Sequence, residues 1–234
     1  VNMPPRMGKS IILSGLFPAW VWTRDPQARF LTTSYAADLS DRDSLATRQL
    51  LETPWYRERW PFLSLDPDEG AKSRYSVEAA VGPGGGLVPV TGRGGLRLRG
   101  RRVATSVRAR ALGEGGHYRL VDDPNDTKQR EGKNEREQAR HHVFRVLPTR
   151  TAGRPEDAVT IIYQQRTHEE DVSGEAGRAG GYQHLCLPME YDGVARETVL
   201  GRYDIRTEKG ELLDPVRYPR SIVDNFKRDL GPYV

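Results

Sequence analysis

Cysteine is nearly missing: Cys186 stands alone among 234 residues. An internal disulfide is excluded, and with it the disulfide-stapled class of small secreted folds. Flanked by Leu185 and Leu187, Cys186 reads as a small buried hydrophobe. Nor is there an apolar run of about 18 residues, the length a membrane-spanning helix needs. No basic stretch leads into an apolar segment and a cleavage site at the N-terminus, so nothing marks secretion. These absences together predict a cytoplasmic chain. Histidine is sparse, at five, and the adjacent pair His141–His142 would diverge by about 100° on a helix. Neighbours so placed seldom share an ion, and no histidine metal site is expected.

Against those absences, hydrophobic residues make up 36% and charged residues 29% of the chain. That balance can bury a core and argues against wholesale disorder. The length suits one substantial domain, or one domain with an appendage. The net charge of +4 is compatible with a nucleic-acid partner without establishing one. The positive charge is uneven, since Arg93, Arg97, Arg99, Arg101, Arg102, Arg108 and Arg110 crowd one Gly-rich stretch. Two readings stand there: a solvated loop, or a surface facing DNA or nucleotide.

Along the chain, Met3–Ser10 (MPPRMGKS) precedes Ile11, Ile12, Leu13, Leu16, Phe17, Trp20 and Val21, whose spacing predicts an amphipathic helix from near Gly8. Arg29–Tyr35 reads as a strand. Ala37–Leu51 reads as a helix with Leu39, Leu45, Leu50 and Leu51 on its apolar face, ended by Pro54. Gly82–Gly100 is so rich in glycine that no regular structure is assigned to it. Strands are predicted at Arg102–Val107, Tyr118–Val121, Ala158–Tyr163 and Tyr182–Met189. Helices are predicted at Asn134–Val146 and Pro219–Leu230. Strands alternating with helices mean an α/β fold with a mainly parallel sheet, whose ligands sit at the carboxyl ends of strands.

Two motifs carry chemistry. Gly8–Lys9–Ser10, ahead of an apolar helix, supplies the parts of a phosphate loop (Walker A). These are a flexible turn, a Lys for the β/γ-phosphates and a hydroxyl for Mg²⁺, at a helix N-terminus with free N–H donors. The general pattern asks for Gly where this chain has Met3, and a bare GKS is also compatible with an ordinary helix start. The second motif is the strand Tyr118–Val121 running into Asp122–Asp123–Pro124, a Walker B pattern. It puts one carboxylate, Asp122, where it can hold the metal and another, Asp123, where it can polarise the attacking water. Read alone, Asp–Asp–Pro is also a common turn. A phosphate loop normally follows a buried strand, and only two residues precede Met3, so the first strand is expected to be truncated.

Taken together, these pieces resemble the large terminase subunits of tailed phages and prophages. The resemblance is carried by Pro4–Pro5–Arg6–Met7–Gly8–Lys9–Ser10, by the strand ending in Thr33–Ser34–Tyr35, and by Ala104–Thr105–Ser106–Val107. It continues in Gly113–Glu114–Gly115–Gly116, in Gln165–Arg166–Thr167–His168–Glu169–Glu170–Asp171, in Tyr182–Tyr191 and in Asp229–Leu230–Gly231–Pro232–Tyr233. It covers most of the chain outside Val77–Arg101. It implies a P-loop ATPase fold that uses ATP and Mg²⁺ to drive double-stranded DNA into a procapsid. The implied partners are the portal protein, the small terminase subunit and further copies of the chain in a ring. Nucleotide contacts are implied for Pro5, Arg6, Met7, Gly8, Lys9, Ser10, Gln165 and Arg166, and metal contacts for Ser10 and Asp122. Catalytic roles fall to Asp123, Lys9 and Arg6, the last neutralising charge at the γ-phosphate as an arginine finger does. A loop-stabilising salt bridge is the other reading of Arg6. Arg166 likewise either senses the γ-phosphate or pairs with Glu169 or Glu170.

The expected organisation is an ATPase domain over 1–190, with a Gly/Arg-rich insertion at 77–101, and a polar linker region over 191–234. The linker leads towards a nuclease domain that this chain does not include, so no DNA cleavage is expected of it. Competing readings are another P-loop enzyme, a helicase or a kinase, and a truncated, non-catalytic remnant.

Overall fold

A computed structural model describes residues 1–91, 95–109, 113–125, 132–199 and 201–230. The chain divides into two compact units, one spanning Gly8–Tyr163 and the other combining Val1–Met7 with Gln164–Val234.

The larger unit is a mixed α/β structure around a six-stranded sheet in the order β2-β3-β4-β1-β5-β6. Its strands are β1 (Arg29–Ser34), β2 (Leu63–Ala71), β3 (Arg74–Val81), β4 (Leu96–Ser106), β5 (Tyr118–Asp122) and β6 (Val159–Tyr163). β4, β1, β5 and β6 run parallel, whereas β2 and β3 are antiparallel additions at one edge. Helices cover both faces. On one lie α1 (Phe17–Trp22), which continues a π-wound turn Ile11–Leu16, and α2 (Ala37–Glu52). On the other lies α4 (Lys133–His141), which runs into a second π-wound turn, His142–Val146. The short α3 (Pro54–Arg59) follows α2. Alternation along β1 sorts the faces: Phe30 packs on Trp22, while Thr33 meets His142.

The core beneath α1 is aromatic. Trp22 sits edge-on to Phe30 and Tyr75, and Phe30 stacks on Tyr118. Each such pair adds about 0.5–1.5 kcal/mol beyond its burial. The indole N–H of Trp22 donates to the Ala28 carbonyl at 3.0 Å, so the fully buried ring leaves no orphan donor.

Several elements differ from expectation. Residues 96–100, whose glycine-rich setting predicts no regular structure, open β4, and 74–81 is its antiparallel partner. Arg97, Arg99 and Arg101 alternate along β4, which is strand periodicity in a glycine-rich setting. Arg99 and Arg101 pair with Asp66 and Glu69 of β2, and Arg102 is fully buried. Arg99 and Arg101 therefore form a cross-strand ion-pair ladder on β4, whereas Arg108 lies exposed in the turn after it. Arg93 and Arg110 lie outside the described residues, as do Gly231, Pro232 and Tyr233. Pro54 opens α3, taking the first helical turn, where its missing N–H costs nothing. α2 buries Ser40, Asp43, Ser44, Thr47 and Leu51, while Leu39, Leu45 and Leu50 are only half-buried.

In the smaller unit, Asn2 makes parallel bridges to both Gln164 and Cys186. Its buried side chain bonds the Gln164 carbonyl, Ser173 and His184. The predicted strand Tyr182–Met189 reduces to that single bridge at Cys186. α5 (Val172–Ala179), the two-residue strands β7 (Glu197–Thr198) and β8 (Gly201–Arg202), and α6 (Arg220–Leu230) complete the unit. A buried Asp204–Arg206 pair at 2.8 Å braces it, with Arg206 also donating to the Met189 and Glu211 carbonyls. Among the described residues, no helix is long and apolar enough to cross a membrane.

Candidate functional site

In the larger unit, the turn entering the π-wound helix meets the end of β5. Gly8 takes φ +81°, a left-handed conformation that suits glycine, and its carbonyl accepts from the Ile12 amide to start the helix. Ser10 stands at the N-cap position without capping the helix. Its hydroxyl instead donates to Asp122 Oδ1 at 3.0 Å, across 112 positions of sequence. Lys9 is buried, and its ammonium lies 2.8 Å from Asp123 Oδ2. A buried ammonium needs a matched charge, and Asp123 supplies it.

Asp123 has φ +36°. That left-handed step turns the chain sharply after β5, and the Asp123 amide bonds the Tyr163 carbonyl. Asp is among the few side chains that tolerate this region, because its short carboxylate can bond locally. The turn sends the carboxylates of Asp122 and Asp123 to Ser10 and Lys9 respectively.

Burial dominates the electrostatics of Asp122. Its carboxyl is pushed up to about 7, first by desolvation and then by the charges of Asp123 and Asp43, against the opposing pull of Ser10 and Lys9. A buried acid held near neutrality beside a hydroxyl is hard-oxygen chemistry suited to a divalent cation, whose charge would favour the ionised form. Mg²⁺ binds through one or two such protein groups and completes its shell with water and phosphate. Ser10 and Asp122 fit that demand. Among the described residues, no group of three or more His, Cys, Asp or Glu converges as a metal cage.

Three residues behind the site escaped the sequence reading. Asp43 of α2 is buried, and its Oδ2 has no hydrogen-bond partner. Tyr163, ending β6, shares a short hydrogen bond with the Ser14 hydroxyl, and burial raises its pKa. Arg102 reaches from β4 to the Ser14 carbonyl at 2.7 Å and Thr47 Oγ1 at 2.6 Å. The signal that could have found Asp43 is the polar stripe Ser40–Asp43–Ser44–Thr47, at helical spacing within an otherwise leucine-marked helix.

The remaining candidates belong to the smaller unit. Pro5 and Arg6 are exposed, Met7 is half-buried, and Arg6 has φ +61°. The Arg6 carbonyl accepts from Arg217 at 2.6 Å. Gln165 is half-buried. Arg166 pairs at 3.0 Å with Asp171, a partner that neither reading of it had named. Asp171 is fully buried and caps α5 through the Gly174 amide at 2.8 Å.

No protein-family model matches the sequence, and no curated protein matches it. Among solved structures, the chain is similar to the crystal structure of the HK97 bacteriophage large terminase, with a TM-score of 0.46 and 12% identity. The match covers 81% of this chain and 34% of that one, so the chain spans about a third of that protein's length.

Proposed function

We propose that this chain is the ATP-hydrolysing motor domain of a tailed-phage large terminase subunit, acting on double-stranded DNA. The observation that carries the ATPase part is the double juxtaposition of Ser10 with Asp122 and Lys9 with Asp123. A loop Lys and Ser meeting two acids at the end of a parallel strand is the arrangement phosphoryl transfer needs. The terminase part rests on the residue patterns around that site, chiefly Pro4–Ser10 and Gln165–Asp171.

In this reading, Lys9 exchanges Asp123 for phosphate oxygens when ATP enters. The exchange releases the Asp123 carboxylate, which accepts a proton from the attacking water as its oxygen bonds the γ-phosphorus and the bond to the bridging oxygen of ADP breaks. Ser10 and Asp122 would hold Mg²⁺, which would supply positive charge to offset that of the phosphates. Arg6, Pro5, Met7, Gly8, Gln165 and Arg166 complete the nucleotide contacts, with Arg6 offsetting charge in the transition state. Portal protein, small subunit and a ring of copies are the partners such a motor requires.

The test is Mg²⁺-dependent ATP hydrolysis by the purified chain, with and without duplex DNA, beside Lys9→Ala. Hydrolysis that DNA stimulates and the substitution abolishes is expected. Nucleotide binding that survives unchanged in Lys9→Ala would sink the proposal.

A further inference from the structure

A second feature of the larger unit lies where β4 ends. Val107, Arg108 and Ala109 form one wall of a cleft of about 960 Å³, and α4 with the turn after it forms the other. It shares no lining residue with the Lys9–Asp123 site. Asn134, Gln138 and His141 of α4 line it at helical spacing, so one helix face presents two amides and an imidazole to it. Arg150, at the end of the short 3-10 turn Leu147–Thr149, closes the far side.

The charges of this cleft are unbalanced. Several other arginines are matched: Arg74, Arg101, Arg154, Arg178 and Arg196 stand in ion pairs. Arg108 and Arg150 have no carboxylate partner among the described residues, and the Arg150 Nε is buried without a hydrogen bond. The acid in the lining, Glu137, stands 3.9 Å from Lys133 one turn earlier. Two guanidinium groups and several neutral donors therefore face a cavity whose described lining holds one carboxylate, Glu137, so positive charge is in excess there. Among the described residues, the lining contains no Phe, Tyr or Trp on which a base could stack.

We infer that this cleft binds the sugar-phosphate backbone of duplex DNA, with Arg108 and Arg150 on its phosphates; the assignment rests on the DNA-motor reading above. Planar guanidinium groups match phosphate oxygens in pairs, and amide donors add contacts that carry no sequence information. A site without stacking aromatics in its described lining holds DNA chiefly by its charge. A motor that moves along DNA requires that kind of grip.

The experiment is fluorescence anisotropy of a labelled duplex titrated with the full chain over a salt series, for Arg108→Ala, Arg150→Ala and the double variant. Each substitution is expected to weaken binding roughly tenfold, equally on unrelated sequences, and to reduce the salt slope by roughly 0.9. Arg108 is exposed, so its removal does not threaten folding, and Arg108→Lys should restore the slope. Binding of a fluorescent ATP analogue should be unchanged in all of them. Duplex affinity and slope equal to the unsubstituted chain's would overturn the assignment. So would an unsubstituted chain that binds no duplex, or displacement of the duplex by polyglutamate or inorganic phosphate at matched ionic strength. A chain that hydrolyses ATP while its duplex binding ignores both arginines refutes this inference alone. A chain that binds duplex through them but binds no nucleotide refutes the motor reading alone.

Discussion

Asp122 and His142 sit on opposite sides of the sheet and respond to acid in opposite directions. Asp122 is 6% exposed, and its carboxyl is raised from 3.8 to about 7, chiefly by burial. Between those values the folded protein holds a proton that the unfolded chain has released, so stability falls as pH rises through the window. At about 1.4 kcal/mol per unit, the effect is at most about 4 kcal/mol. His142 is 3% exposed and is lowered from 6.5 to about 4, first by burial and then by His141. There the unfolded chain holds the extra proton, so stability is complete above 6.5 and is lost as pH falls through 4, by about 3 kcal/mol. The two contributions nearly cancel, and the protein should show an almost level stability between pH 4.5 and 7 on the scale of about 1 kcal/mol. Single substitutions separate them. Asp122→Asn should leave a protein that loses about 3 kcal/mol on acidification, and His142→Gln one that gains about 4 kcal/mol. Urea midpoints across a pH series, in EDTA so that no cation holds Asp122 ionised, measure both. If both variants follow the unsubstituted protein's curve, the burial argument is wrong.

Three more outcomes follow from packing. A Cβ on Gly100 would lie 2.5 Å from the Pro26 carbonyl oxygen, 2.7 Å from Trp22 Nε1 and 2.8 Å from the Ala28 oxygen. Backbone cannot yield as a side-chain tip can, so Gly100→Ala should cost about 1–3 kcal/mol in a urea titration. Trp22→Ala should cost about 3–5 kcal/mol, because the ring is wholly enclosed and its neighbours are anchored in the sheet. Asp171 accepts the Gly174 and Thr167 amides and the Arg166 guanidinium. Asp171→Ala orphans all three, at about 2–4 kcal/mol, and hydrogen exchange at the Gly174 amide should accelerate in step.

The parallel part of the sheet was legible because its strands are short apolar runs, as in Ala158–Tyr163, or are closed by turn residues, as Tyr118–Val121 is by Asp122–Asp123–Pro124. The meeting of Lys9–Ser10 with Asp122–Asp123 was legible because the chemistry of phosphate demands those residue types at helix starts and strand ends. The antiparallel edge was not. β2 contains Asp66–Pro67–Asp68–Glu69–Gly70, which reads as a turn, and it survives as a strand because it is the sheet's edge and its register shifts between Leu65 and Gly70. α2 was recognised as a helix, but of the four leucines expected on its inner face only Leu51 is buried. Leucines normally mark the buried side, but in α2 the buried stripe is Ser40, Asp43, Ser44 and Thr47, and Thr47 bonds the Ser14 and Gly15 carbonyls of the π-wound helix. Asp171 as the partner of Arg166 was hidden by two nearer acids in sequence, Glu169 and Glu170. The cap geometry of α5, not proximity along the chain, decides the pairing.

The seam between α2 and the helix that carries Ser10 has a mechanical consequence. Thr47 Oγ1 donates to the Ser14 carbonyl at 3.1 Å and the Gly15 carbonyl at 2.8 Å, and Arg102 reaches both Thr47 and Ser14. Greased leucine surfaces can slide over one another with little change in energy. A keyed joint cannot: displacement by one helical turn, about 5.4 Å, would leave buried donors and carbonyls facing nothing. Sliding one helix along the other is therefore costly, and the seam holds α2 and the helix that follows Ser10 in fixed register.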